Sequence, residues 1–202
     1  MARALVTGAG QRLGRAMALY LARRGYDVAV HYASSAEGAE QTVAQIEALG
    51  RQAVALHADL LDDTATQALF EQAQDRLGGD ITCLINNASV FEYDTVQTAT
   101  RENWDRHMGS NLRAPFVLTQ AIAAQGLQPA HDDAGEPVAT GLIVNMIDER
   151  VRKLTPEFMT YTLAKMGLWA LTQTSSRALA PAIRVNAIGP GPTLQGERQS
   201  EA

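Results

Sequence analysis

The sequence predicts an α/β fold in a single domain, a doubly wound parallel sheet with helices on both faces. Three observations carry this. Strand-sized apolar runs alternate with amphipathic helical stretches along the whole chain, the pattern of consecutive βαβ units. A glycine-rich turn separates the first strand from the first helix. The 202 residues are enough for one sizeable core, so one domain over 1–202 is expected.

Taken in order, strands read at about 3–7, 27–32, 52–58, 82–86, 141–147 and 183–188. Helices read at about 13–24, 36–49, 62–77, 100–124 and 157–180, the fourth broken near Gly109. The stretch 126–141, rich in Gly, Pro and acid, reads as an exposed and disordered excursion between helix and strand. After Gly189-Pro-Gly-Pro-Thr193 only nine residues follow. A last strand and a C-terminal substrate lid are expected beyond them, so the natural end is expected to be missing.

Composition narrows the function classes. The chain is 46% apolar with a net charge of −5, which favours neither a nucleic-acid partner nor an anionic membrane surface. No apolar run approaches a membrane span, and the N-terminus enters a strand with no room for a leader. The single cysteine, Cys83, excludes an internal disulfide and reads as an inert core thiol. Cytoplasm is the expected compartment. None of the four histidines is spaced for a metal, and His131-Asp-Asp133 reads as a solvated loop.

The first turn, Thr7-Gly-Ala-Gly-Gln-Arg-Leu-Gly14, suits a dinucleotide pyrophosphate in a Rossmann-type arrangement. Gly8 and Gly10 permit unusual torsions and close approach, Leu13 begins the helix, and Gly14 lets it pack on the sheet. The free amides of the helix start then face the phosphates. The last glycine gap is one residue longer than the common motif. Arg12 stands where a glycine is often found, and points either at phosphate and substrate or at solvent.

Cofactor choice turns on the end of the second strand, His31-Tyr32-Ala-Ser34-Ser35. No acid stands there to repel a 2′-phosphate, and Ser34 and Ser35 can donate to one, which favours NADP(H) over NAD. The serines can equally be a plain helix N-cap. Asp59, with Leu60 beside it, can accept from an adenine amino group or cap the next helix. Asn86-Asn87-Ala88 ends the fourth strand, at the edge where ligands of such sheets lie, or forms a simple Asx turn.

Tyr161-Thr-Leu-Ala-Lys165 places a phenol and an ammonium on one helix face, the pairing that proton transfer needs. Together with Thr7–Gly14, Asn86-Asn87-Ala88, Asn111 and Pro190-Gly191, it resembles the short-chain dehydrogenase/reductase family along the whole chain. That resemblance implies Tyr161 as general acid and Lys165 on the nicotinamide ribose, lowering the tyrosine pKa. It also implies that Asn111 supports a proton-relay water. The family normally has a serine thirteen residues before the tyrosine; here that position is Asp148.

An aspartate there, in Asn145-Met-Ile-Asp148, resembles the pteridine reductases within the family. Their arginine near pterin and phosphate matches Arg12, and their serine and ring-stacking phenylalanine match Ser89 and Phe91. The resemblance implies Asp148, Tyr161, Lys165 and Asn111 as catalytic residues. It also implies that Arg12, Ser89, Phe91, Asp148 and Tyr161 line a pterin-like substrate. Left open are a surface-loop role for Asp148 and a core role for Phe91. Arg150 and Phe158 are candidates for the substrate mouth. Two other functions stay open: an ordinary carbonyl or 3-oxoacyl reductase, and a non-catalytic NADP-binding protein. Excess apolar surface on the helices at 100–124 and 157–180 (Leu163, Met166, Leu168, Trp169, Leu171) implies a homo-oligomer, in this family usually a tetramer.

Overall fold

The computed structural model describes residues 2–191. Strands β1 (Arg3–Val6), β2 (Asp27–Tyr32), β3 (Ala53–His57) and β4 (Cys83–Asn86) alternate with helices α1 (Arg12–Arg23), α2 (Ala36–Glu47) and α3 (Asp63–Leu77). Then come α4 (Arg101–Met108), α5 (Ala114–Ala124), the short strands β5 (Ala130–His131) and β6 (Pro137–Val138), β7 (Gly141–Met146), α6 (Met159–Ala178) and β8 (Ile183–Ile188). The main sheet is parallel throughout, in the order β3-β2-β1-β4-β7-β8. Strand order reverses between β1 and β4, and ligands of such sheets bind at the carboxyl edge of that reversal.

Both sheet faces are covered, so the inner strands are apolar on both sides. Leu5, Leu84 and Ile143 pack with Phe70, Leu118 and Ile122 on one face. Val6, Val28 and Val30 pack with Ala18 and Ile46 on the other. Cys83 is buried in that second layer, and burial pushes its thiol up to about 12, as suits an inert core residue.

Three sequence expectations change. The helix at 100–124 does not break at Gly109: α4 runs into α5 through a π-helical turn, Gly109–Arg113. Gly109 keeps helical torsions there, φ −61° and ψ −62°, so the chain continues without a kink. The stretch 126–141 is exposed but carries an antiparallel hairpin, β5 with β6, whose turn is tied by Asp132 Oδ1 accepting from the Ala134 and Glu136 amides. Leu168 lies in the core, whereas Leu163, Phe116 and Trp104 are the exposed large side chains of this helical face. The lid expected past Thr193 lies outside the described residues, among which no helix is long and apolar enough to cross a membrane.

Candidate active site

β1, β4 and β7 deliver their loops to one edge of the sheet, and this assembles the site. Gly8 adopts φ +63°, and Gly14 has no room for a side chain, a Cβ there lying 2.0 Å from Gly8 O. Arg12 sits at φ +50°, a left-handed conformation that costs a non-glycine residue about 1 kcal/mol. This explains why a glycine often stands at this position. Gln11 makes no side-chain cap and the first turn of α1 holds no acid, so this helix start suits an anion. The cofactor turn therefore fits a dinucleotide pyrophosphate.

His31 acts behind this turn rather than on its surface. Its Nδ1 accepts from the Gly8 amide (3.1 Å) and its Nε2 lies 3.1 Å from Ala58 O. Those partners assign the proton to Nε2, so both ring nitrogens are spent on backbone. Burial lowers the ring pKa from 6.5 to about 4, which keeps it neutral. Tyr32 lies against His57, ring centroids 5.4 Å apart. Ser34 is exposed, and Ser35 starts α2 without a side-chain cap bond. Asp59 does not cap α3, a role taken by Asp62; it accepts from the Leu61 amide in a local turn, and Leu60 beside it is buried.

Asn87 braces the turn from the opposite side, donating to Thr7 O (2.8 Å) and Gly8 O (3.2 Å), while Thr7 Oγ1 accepts from the Asn87 and Ala88 amides. Arg15 was not singled out from the sequence. It donates to Gly10 O, Gly38 O and Thr42 Oγ1, fastening the turn to α2. A lone helix arginine carries no signal of such a role. Pro190 and Gly191 follow β8 at the same sheet edge.

The proton-transfer groups converge at the end of β7. Tyr161 Oη donates to Asp148 Oδ2 at 2.9 Å, and Asp148 Oδ1 accepts from the Arg150 amide at 2.8 Å. Asp148 is thus both a cap of the short turn 149–151 and the partner of the phenol. Lys165, 2% exposed, donates to Met146 O at 2.8 Å, and its Nζ lies 5.6 Å from the Tyr161 ring centroid. Burial pushes the lysine down to about 8, with Asp148 opposing.

Of the two opposing influences on the phenol, a lowering by Lys165 and a raising by an ionised Asp148, the raising one prevails. Burial first, then the charge and hydrogen bond of Asp148, hold Tyr161 well above the ordinary tyrosine range, with Ser89 and Arg150 pulling weakly back. The tyrosine is kept protonated, as a proton donor must be.

Phe91 packs outside this group rather than in the core, being 43% exposed. Its ring lies parallel to Phe158, centroids 4.3 Å apart at 8°, and meets Tyr161 edge-on at 4.7 Å. The Arg150 guanidinium lies over the Phe158 ring, 4.8 Å from its centroid. The Asn111 side chain exchanges two 2.8 Å hydrogen bonds with the Val90 backbone, so its amide holds the loop bearing Ser89 and Phe91. A π-turn at a functional site is a recurrent device for such re-aiming.

A family model described as short chain dehydrogenase matches residues 2–201. The 3-oxoacyl-[acyl-carrier-protein] reductase of Staphylococcus aureus is 33% identical over 189 residues, covering 93% of this chain and 73% of that protein. Among solved structures, alternative dihydrofolate reductase 1 from Brucella suis in complex with NADP is 42% identical with TM-score 0.86, covering 98% of this chain and 78% of that one. A short chain dehydrogenase from Burkholderia cenocepacia in complex with NADP is 34% identical with TM-score 0.84, covering 94% and 74%.

Proposed function

This chain belongs to the short chain dehydrogenase family, and from that premise we propose that it is an NADPH-dependent reductase of pterin-type rings. The reaction takes a dihydropterin, or dihydrofolate, to the tetrahydro level. The observation that carries the reading is the 2.9 Å hydrogen bond from Tyr161 to Asp148. A carboxylate stands where ketone reductases of the resembled family present a serine hydroxyl. The similarity to the Brucella alternative dihydrofolate reductase supports it.

The net change adds one hydride and one proton across a C=N bond. NADPH, when bound, supplies the hydride. The α1 amides and Arg12 would hold its phosphates, and Lys165 its nicotinamide ribose. Ser34 and Ser35 would take its 2′-phosphate, and Asp59 would accept from its adenine. Tyr161 keeps its proton through burial and through Asp148, and the Tyr161–Asp148 pair passes that proton to the ring nitrogen. Phe91 offers a face to the flat ring, worth about 1 kcal/mol beyond area burial. Ser89 and Arg12 line the same slot.

The second reading is reduction of a carbonyl, in a ketone or an acyl-carrier thioester, supported by the Staphylococcus relative. NADPH oxidation assayed with dihydrobiopterin, dihydrofolate and a generic diketone separates the two. Asp148→Asn is expected to lower kcat with the dihydropterin at least tenfold and to shift a limb of its pH profile. Turnover of the diketone alone, or an unchanged Asp148→Asn enzyme, overturns the pterin reading. Binding of NADPH without any turnover would leave a non-catalytic role. The exposed Leu163, Phe116 and Trp104 support a homotetramer, which sedimentation at micromolar concentration checks.

A further inference from the structure

Behind Tyr161 lies a buried polar chain that the chemistry above does not use. Asp94 and His107 are fully buried and Thr160 nearly so. The Glu92 amide donates to His107 Nε2 at 3.1 Å, so the ring proton is assigned to Nδ1, which donates to Thr160 Oγ1 at 2.7 Å. The Thr160 hydroxyl donates in turn to Asp94 Oδ2, and the Thr160 amide to Asp94 Oδ1 at 3.2 Å. Direction is therefore fixed along the chain, and no polar group in it competes with another.

Its ends reach both rings of the Phe91–Phe158 stack. The Glu92 amide follows Phe91 directly. The Phe158 amide donates to Asp94 O at 2.8 Å, holding Phe158 at φ +55°, a conformation that persists only where its surroundings impose it. Thr160 immediately precedes Tyr161, whose ring meets His107 edge-on at 5.9 Å.

We propose that the His107–Thr160–Asp94 chain is a positioning device that fixes the Phe91–Phe158 stack and the Tyr161 ring packed edge-on against Phe91, so that these three residues govern recognition of the flat substrate without touching it. This rests on the reading of the slot given under Proposed function. Deleting the Thr160 hydroxyl cuts the chain at its centre while keeping the side-chain shape, and serine restores the hydroxyl.

The test is steady-state NADPH oxidation by the full chain bearing Thr160→Val, Thr160→Ser or His107→Asn, with dihydrobiopterin as substrate. Should the native enzyme reduce only the diketone, the pterin reading fails and the same series is run with the diketone, so the two failures stay distinct. Thr160→Val is expected to raise the substrate KM about tenfold and lower kcat severalfold, leaving the NADPH KM within about twofold. Thr160→Ser is expected to return both within about threefold of native. His107→Asn keeps a donor toward Thr160 but loses the acceptor for Glu92, and is expected to raise the substrate KM while sparing the NADPH KM. Unchanged kinetics in Thr160→Val, equal rises in both KM values, or a serine variant as impaired as the valine would overturn the proposal. So would failure of both Thr160→Val and His107→Asn to fold, which would assign the chain to stability alone.

Discussion

Acid is expected to loosen this protein first at His31, beneath the cofactor turn. Its ring titrates at about 4 in the fold against an ordinary 6.5. Between those values the unfolded chain binds a proton that the folded chain refuses. The stability carried by the neutral ring is complete above pH 6.5 and is lost as pH falls toward 4. Each pH unit in that window removes up to about 1.4 kcal/mol, so moving from pH 7.5 to pH 5 removes about 2 kcal/mol. That is a large part of a stability of roughly 5–15 kcal/mol. The geometry explains the refusal. A proton on Nδ1 would face the Gly8 amide, donor against donor, and the imidazolium would be buried without a counter-charge within the bonds it makes. Urea midpoints followed by circular dichroism at pH 7.5, 6 and 5 measure the effect, for the native chain and for His31→Gln. Other titrating groups are common to both proteins and cancel in the difference. The glutamine variant is expected to be the less stable at pH 7.5, with the gap narrowing by about 2 kcal/mol by pH 5. Parallel curves for the two proteins would refute the assignment of the acid sensitivity to His31.

Other consequences are checked more briefly. Lys165 is expected to lose its charge near pH 8, far below the ordinary lysine value, so a kinetic limb near that pH should move upward in Lys165→Arg, whose guanidinium stays charged; an unmoved limb would remove the lysine from it. Gly14→Ala places a Cβ 2.0 Å from Gly8 O, and is expected to lower the melting temperature by several degrees, through a loss of about 1–3 kcal/mol, and to weaken NADPH binding at least tenfold by fluorescence titration. An alanine variant binding NADPH as tightly as the native chain would show that the turn does not need that glycine.

The sheet was legible because the inner strands are near-continuous apolar runs, the edge strand β8 alternates apolar with polar residues, and most helices carry an apolar stripe, patterns that depend only on near neighbours. The Asp148–Tyr161 pair was legible through spacing, with β7 and α6 fixing where residues 148 and 161 emerge. Position alone points His31 at the cofactor, and nothing in a motif reveals that its ring partners are Gly8 and Ala58, at two other strand ends. The charges of Lys165 and Asp148 pull the tyrosine in opposite directions, and burial, which is not written in a motif, tips the balance upward with Asp148. Asp94, His107 and Thr160 were silent for a similar reason. They are scattered over 66 residues and meet only once α4 packs on α6 and the loop after β4 closes over both. Arg12 stands where a glycine is often found, and its left-handed backbone costs any side chain placed there about 1 kcal/mol.

The electrostatic balance at β7 bears on substrate choice. Reducing a ketone builds negative charge on oxygen, and a carboxylate beside the acid residue opposes that charge. Proton transfer to a C=N nitrogen builds positive charge there while the hydride arrives, and the same carboxylate then stabilises the developing charge. Tyr161, held protonated by burial and by Asp148, is a reluctant acid on its own and needs an acceptor whose charge its partner favours. Lys165, lowered by burial to about 8, still carries its charge at neutral pH. The substrate preference therefore rests on the Asp148 carboxylate beside the phenol, which disfavours alkoxide formation and favours an imine-like acceptor. The same reasoning predicts that Asp148→Ser shifts relative turnover from the dihydropterin toward the diketone.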